Sequence, residues 1–258
     1  MSIKIIAVCG KGGVGKTSIS ALIIRQLLEE ENARILAIDA DPAIGFSAAL
    51  GVDVGKTVDD IRNELIEAAR IGLKEDRHSL LSRLDYKVFE AMEERDGFAF
   101  LAIGRPETDG CYCKVNNYLK EIIGSLAAQF DYVVIDGEAG IEQVNRRVME
   151  RVTHLLLVSD TSLKGLNVIK TIHKVAHKSV QYDRAGVILN RLKNEDELNR
   201  VDLDGLTLLG FLGEDDTIRD FDIEGKPLLK LLEGRTVGTI RKMLEEFGVC
   251  PVKGEQKG

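Results

Sequence analysis

Cysteine is scarce in this 258-residue sequence. The four residues, Cys9, Cys111, Cys113 and Cys250, are too few and too scattered for a disulfide framework, so a reducing compartment is expected. Long hydrophobic runs are missing as well: no window approaches 18 consecutive apolar residues, which excludes a transmembrane helix. The opening MSIKIIAVCGKGG passes from a short apolar stretch directly into a glycine-rich turn, unlike the layout of a cleaved signal peptide. Positive charge is in deficit, with 35 Lys and Arg against 42 Asp and Glu and a net charge of −7. That balance opposes unspecific attraction to nucleic acid or anionic lipid, so neither is an expected partner. No Pro- or Ser-rich linker and no internal repeat interrupts the chain. These absences leave a cytoplasmic protein long enough to bury one sizeable core. Residues 1–258 read as a single domain, with 252–258 as a frayed tail.

What is present is an alternation of strand and helix patterns. Residues 3–8 form a short apolar, β-branched run; Ile19, Leu22, Ile23, Leu27 and Leu28 then recur at helical spacing, and a strand pattern resumes over 34–38. Similar runs at 98–103, 132–135, 154–158 and 185–189 do not alternate, as suits strands buried on both faces of a parallel sheet. Helices are expected at about 57–70, 114–129, 142–151 and 163–178, and further helices within 71–96 cover the sheet. The implied fold class is α/β, a mostly parallel sheet with helices on both faces joined by βαβ crossovers. Near the end, Val237, Ile240, Leu244 and Phe247 share one face of a helix. Its other face mixes Arg241 and Lys242 with Glu245 and Glu246, which favours docking on the core over membrane attachment.

The segment Gly10-Lys11-Gly12-Gly13-Val14-Gly15-Lys16-Thr17 fits G-x-x-x-x-G-K-[ST] directly after a strand and before a helix, the context that motif needs. Its glycines let backbone N–H groups turn toward the β- and γ-phosphates, and the helix start adds its positive end. Gly12, Gly13, Val14, Gly15, Lys16, Thr17 and Ser18 are therefore the expected nucleotide-phosphate contacts, with Thr17 also offering a hydroxyl to Mg²⁺. An additional lysine, Lys11, stands near the start of the loop. K-G-G-V-G-K-T resembles the deviant Walker A loop of the superfamily that holds MinD, ParA, the tail-anchored-protein targeting ATPases and the nitrogenase iron protein. That resemblance implies that Lys11 reaches across a nucleotide-sandwich dimer to the partner's ATP, tying hydrolysis to dimerisation.

The same resemblance gives roles to three later segments. Ile38-Asp39-Ala40-Asp41-Pro42 matches switch I, implying that Asp41 orients or deprotonates the attacking water and that Asp39 lies near the Mg²⁺ shell. Alone, an Asp-x-Asp-Pro turn would read as simple helix capping. Val133-Val134-Ile135-Asp136 is an apolar strand closed by an acid, as in a Walker B strand; Asp136 would hold Mg²⁺ through water, and Gly140 would let switch II swing. Asn190, followed by Arg191, ends another strand with an amide able to pair with adenine N6 and N7. The segment from Leu209 to Ile218 and Gly225-Lys226-Pro227-Leu228 resembles the family's base-flanking region.

Cys111-Tyr112-Cys113 precedes a predicted helix, and a helix start lowers thiol pKa, favouring thiolates for metal binding or redox chemistry. One C-x-C supplies two ligands where a closed thiolate site wants four. A two-fold dimer would supply the other pair. With Gly104-Arg105-Pro106-Glu107 before it and Glu142 and Arg146-Arg147 later in the chain, the pattern resembles the CooC family, the nickel-insertion ATPases of carbon monoxide dehydrogenase. This implies an ATP-dependent homodimer that holds Ni²⁺, or Zn²⁺ in the same site, at Cys111 and Cys113 of both chains. Its client would be a nickel enzyme, CO dehydrogenase or acetyl-CoA synthase; Gln143 stands where His is frequent in CO dehydrogenase-directed members, which keeps both clients in view.

His173 and His177 are four residues apart on a predicted helix, but Lys174 stands where a zinc protease would carry its Glu, and no third ligand is evident. A surface pair without metal is the simpler reading. Cys9 reads as a small buried strand residue and Cys250 as inert. Two rival functions share the nucleotide motifs, a MinD- or ParA-type spatial organiser and an iron–sulfur scaffold or reductase on the same fold.

Overall fold

The computed structural model describes residues 2–70, 77–105, 113–137, 144 and 148–252. Its sheet is built from β1 (Lys4–Gly10), β2 (Ile35–Asp39), β3 (Glu93–Arg95), β4 (Phe98–Ala102), β5 (Tyr132–Asp136), β6 (Arg151–Ser159), β7 (Gln181–Leu192) and β8 (Leu208–Gly213), in the order β3-β4-β2-β5-β1-β6-β7-β8. All neighbours are parallel except β3 and β4, which form an antiparallel edge. The chain lays β2 and β5 on one side of β1 and then crosses to place β6 on the other. The carboxyl end of β1 is thus where connections diverge, the place at which open α/β sheets bind ligands.

The strands are uniformly apolar because both faces are covered. Ile6, Val8, Ile35, Ala37 and Val134 pack under α1 (Lys16–Leu27), α2 (Gly45–Leu50) and α8 (Arg235–Phe247). Ala7, Cys9, Leu36, Ile38, Val133 and Ile135 point the other way, under α3 (Val58–Arg70), α4 (Arg77–Glu90), α5 (Cys113–Ala127) and α6 (Leu163–Ser179). Successive residues of a strand serve opposite faces, so a run such as Tyr132–Asp136, buried throughout, feeds two layers at once.

Helix α8 behaves as its pattern predicts. Val237, Ile240, Met243, Leu244 and Phe247 are buried, Gly248 closes the helix at φ 78, and Arg241 ties the helix to Glu29 at 2.7 Å while pairing with Glu245 one turn along the same helix at 2.9 Å. Burying a side chain such as Ile240 contributes about 1.5–3 kcal/mol, which holds this helix on the core. Cys9 and Cys250 are both buried. No helix among the described residues is long and apolar enough to cross a membrane.

The structure corrects the sequence reading in several places. Glu93–Arg95 is a strand rather than part of a helix, pairing with β4 by register although its side chains are largely polar. The helix expected at 142–151 does not reach that far: Arg151 begins β6, whereas 142, 143 and 145–147 lie outside the described residues. Leu208–Gly213 is an edge strand, followed by α7 (Asp216–Ile223) capped by Asp215, whose carboxylate accepts from Thr217 N–H at 3.0 Å. Of the expected tail, Val252 is exposed and 253–258 lie outside the described residues.

Candidate functional site

The phosphate loop leaves β1 at Gly10 and enters α1 at Lys16. Glycine is required at its last position: Gly15 has φ +91, and a Cβ there would lie 2.5 Å from the Asn190 amide nitrogen. Gly12 and Gly13 are exposed, with no atom within 4 Å of where a Cβ would sit, so the bend presents bare backbone. Lys16 is 8% exposed, and its ammonium folds back to donate to the Lys11 carbonyl at 3.3 Å. The Val14 carbonyl accepts from the Asn190 amide at 2.8 Å, while Ser18 is half-buried on the first turn of α1.

Parallel register sets two acids side by side beneath this loop. Asp136 pairs with Val8 of β1 and with Asp39 of β2, and both acids are buried at strand ends. The two Asp136 oxygens accept from the Thr17 hydroxyl at 2.7 Å and the Ser20 hydroxyl at 2.8 Å. Asp39 accepts from the backbone N–H of Asp41 at 3.0 Å and of Phe46 at 2.9 Å. Burial pushes the Asp39 carboxyl up to about 7, with the neighbouring Asp136 charge adding to the rise. Burial also pushes Asp136 up to about 6, against the two hydroxyl donors and Lys16. Two carboxylates deprived of water next to one ammonium form a site that a divalent cation would relieve.

Lys11 has a partner within its own chain: its ammonium meets an Asp160 oxygen at 3.2 Å. Asp160 follows β6, and its other oxygen accepts from the Ser162 hydroxyl at 2.5 Å. Burial would raise the Asp160 carboxyl, but the bonds from Ser162 and Lys11 outweigh it and hold the group below its ordinary range. Asp41 is likewise engaged locally, accepting from Ala43 N–H at 2.9 Å. Arg191 is exposed beside Asn190 with φ 62, an uncommon backbone state for a side chain of its size.

Lys11, Gly12, Gly13, Val14, Gly15, Lys16, Thr17, Ser18, Asp39, Asp41, Asp136 and Asn190 are thus gathered at one sheet edge, with Arg191 adjoining. Cys111 lies outside the described residues, as do Gly140, Glu142, Gln143, Arg146 and Arg147. Cys113 is the first residue of α5. Sequence reasoning missed Ser20 and Asp160. Ser20 carried a faint signal as a hydroxyl one turn beyond Thr17 on an otherwise apolar helix face; Asp160 was marked only as an acid just past a strand.

The sequence matches the CobQ/CobB/MinD/ParA nucleotide binding domain over residues 5–228. It is 41% identical over 240 residues to an uncharacterized ATP-binding protein of Methanocaldococcus jannaschii, covering 90% of this chain and 93% of that one. It is 29% identical over 225 residues to the carbon monoxide dehydrogenase accessory protein CooC of Rhodospirillum rubrum, covering 77% and 83% of the two chains. The fold is similar to that of the septum site-determining protein MinD of Pyrococcus horikoshii in complex with Mg-ADP, with a TM-score of 0.66, 25% identity and 95% of each chain covered.

Proposed function

The chain belongs to the CobQ/CobB/MinD/ParA nucleotide-binding family of P-loop ATPases, and from that premise we propose that it is an ATP-dependent nickel carrier. In this reading a dimer holds Ni²⁺ between the paired Cys111 and Cys113 and delivers it to CO dehydrogenase or acetyl-CoA synthase. The observation that carries it is topological. Helix α5 opens at Cys113 after the connection from β4, on the same carboxyl edge of the sheet as Lys16 and Asp136. Nucleotide and metal chemistry would then share one edge, where closure of a dimer affects both. The similarity to CooC supports the same assignment.

The residues present fit a magnesium nucleotide: two buried acids with raised pKa, the Thr17 hydroxyl already on one of them, and an ammonium over a loop of bare backbone. Thr17, Asp136 and Asp39 would hold Mg²⁺, which when bound neutralises phosphate charge. Lys16 and the backbone of Gly12 to Ser18 bind the phosphates. Asn190 braces the loop through Val14 and, with Arg191, borders the base. Lys11 leaves Asp160 and approaches the partner's ATP, where it stabilises charge on the transferring phosphoryl group in a water-poor interface. Asp41 exchanges its bond from Ala43 for a water molecule and orients it. Hydrolysis then loosens the dimer and frees the metal.

Equilibrium dialysis against Ni²⁺ with ATP present tests the carrier reading. The wild type should bind one Ni²⁺ per dimer beyond what the Cys111→Ser/Cys113→Ser protein binds. Equal binding by the two proteins refutes it, and a brown protein after anaerobic purification favours the iron–sulfur alternative. A spatial-organising role is favoured by the similarity to MinD over 95% of both chains. Against a membrane version of that role, the apolar face of α8 is already buried on the core.

A further inference from the structure

We propose that His173, His177 and Tyr182 form a second metal site, taking one exchangeable divalent ion of the imidazole-preferring class, Cu²⁺, Ni²⁺ or Zn²⁺. The two histidines lie one turn apart on α6, so their side chains leave the same face. Tyr182 comes from the start of β7, directly after that helix. Its hydroxyl oxygen lies 3.1 Å from Nε2 of His173 and 2.8 Å from Nε2 of His177. The same nitrogen of each ring is therefore aimed at a single point, and the ring centroids are 4.7 Å apart.

That convergence has a chemical consequence. A hydroxyl between two neutral imidazoles donates to one Nε2 and accepts from the other, so one ring carries its proton on the inward nitrogen. Moving that ring proton to the outer nitrogen and turning the Tyr182 O–H away from the other ring frees both Nε2 lone pairs and one on the oxygen toward the space between the three atoms, the arrangement that borderline transition ions take from imidazole. Metal–nitrogen bonds of about 2.0–2.1 Å need the rings to turn inward slightly. His177 is exposed and His173 half-buried, so rotation at the side chains suffices and the helix backbone can stay in place. Two nitrogens and a phenol oxygen leave positions for water, which suits an ion that is taken up and passed on. No carboxylate belongs to this set, so Mg²⁺ is a poor competitor. Two of the flanking ammonium groups are drawn toward carboxylates: Lys170 meets Asp202 at 3.0 Å and Lys174 meets Asp204 at 4.0 Å.

The site is remote from the nucleotide. Tyr182 is in register with Val152, whereas Val158, beside Gly10 at the phosphate loop, is six residues further along β6, about 20 Å at strand rise. It also draws on neither Cys111 nor Cys113, so it does not rest on the carrier reading.

The test uses calorimetric titration of the full chain carrying Cys111→Ser/Cys113→Ser, with Ni²⁺ and separately Cu²⁺, without nucleotide. One ion per chain should bind, and affinity should fall about tenfold or more with either His173→Ala or His177→Ala. The bound Cu²⁺ should show nitrogen hyperfine splitting in its EPR spectrum, lost in the double histidine variant. Both histidines are at least partly exposed, and unchanged far-UV circular dichroism of the variants verifies the fold. No binding to the parent, or equal binding to the double histidine variant, overturns the proposal, and neither result bears on the cysteine site.

Discussion

Asp136→Asn separates what the buried acid does for a cation from what it does for the fold. The Asp136 carboxyl is held at about 6 by burial, roughly two units above an ordinary aspartate and equivalent to at most about 3 kcal/mol. The sign follows from proton linkage. Between about pH 4 and pH 6 the folded state binds more protons at this group than the unfolded state, so stability falls as pH rises and stays lower above that window. Asparagine keeps the shape, and the Thr17 and Ser20 hydroxyls, 2.7 and 2.8 Å away, can rotate to meet its amide. In EDTA at pH 8 the variant should therefore melt up to about 6 °C above the wild type, and the gap should close near pH 4. With Mg²⁺ and ADP the order should reverse, because only the wild type gains from the cation. Thermal melts followed by circular dichroism read all three conditions. A variant that melts at or below the wild type in EDTA at pH 8 refutes the argument that this acid is buried at a cost to the fold.

Three further outcomes follow from named contacts. Asp160→Ala frees Lys11 from its partner in the same chain; as that pair is partly exposed, the gain is at most about 1 kcal/mol per chain, about 2 kcal/mol for a dimer in which both lysines cross, and sedimentation with ATP should show dimer at up to about thirtyfold lower protein concentration. Gly15→Ala meets both a positive φ and the Asn190 amide and should cost about 1–3 kcal/mol in urea unfolding, whereas Gly12→Ala, with open space around it, should leave stability unchanged. Ile240→Ala opens a cavity under α8 and should destabilise by about 2–5 kcal/mol in the same assay; a loss below about 1 kcal/mol would mean that this helix contributes little to the core.

The sheet was legible wherever a strand is buried on both faces. Val133-Val134-Ile135 and the runs of β2, β4 and β6 carry their own signal, because each residue meets an apolar layer. Edges were not legible. Glu93–Arg95 pairs through backbone alone and has charged side chains, and the glycines of Leu208–Gly213 disguise a strand with one open side. The phosphate loop was readable from spacing, and the position of Asp136 from the apolar run that it closes. What spacing could not show is which side chains are already occupied. Lys11 is bonded to Asp160, Asp41 to its own turn, and Asn190 to the Val14 carbonyl. Such pairings depend on residues up to 176 positions apart that meet only when parallel register brings strand ends together. The histidine pair shows the same limit, since its third member, Tyr182, belongs to the following strand.

The central claim is ATP-gated delivery of nickel, and transfer to a client tests it most directly. Nickel-loaded protein is mixed with apo CO dehydrogenase and, separately, with apo acetyl-CoA synthase, with and without Mg²⁺ and ATP, and recovery of client activity is followed. One client should regain activity only with ATP, and neither Lys16→Ala nor Cys111→Ser/Cys113→Ser should support it. Equal activation by the cysteine variant, or activation indifferent to ATP and to Lys16, would contradict the account.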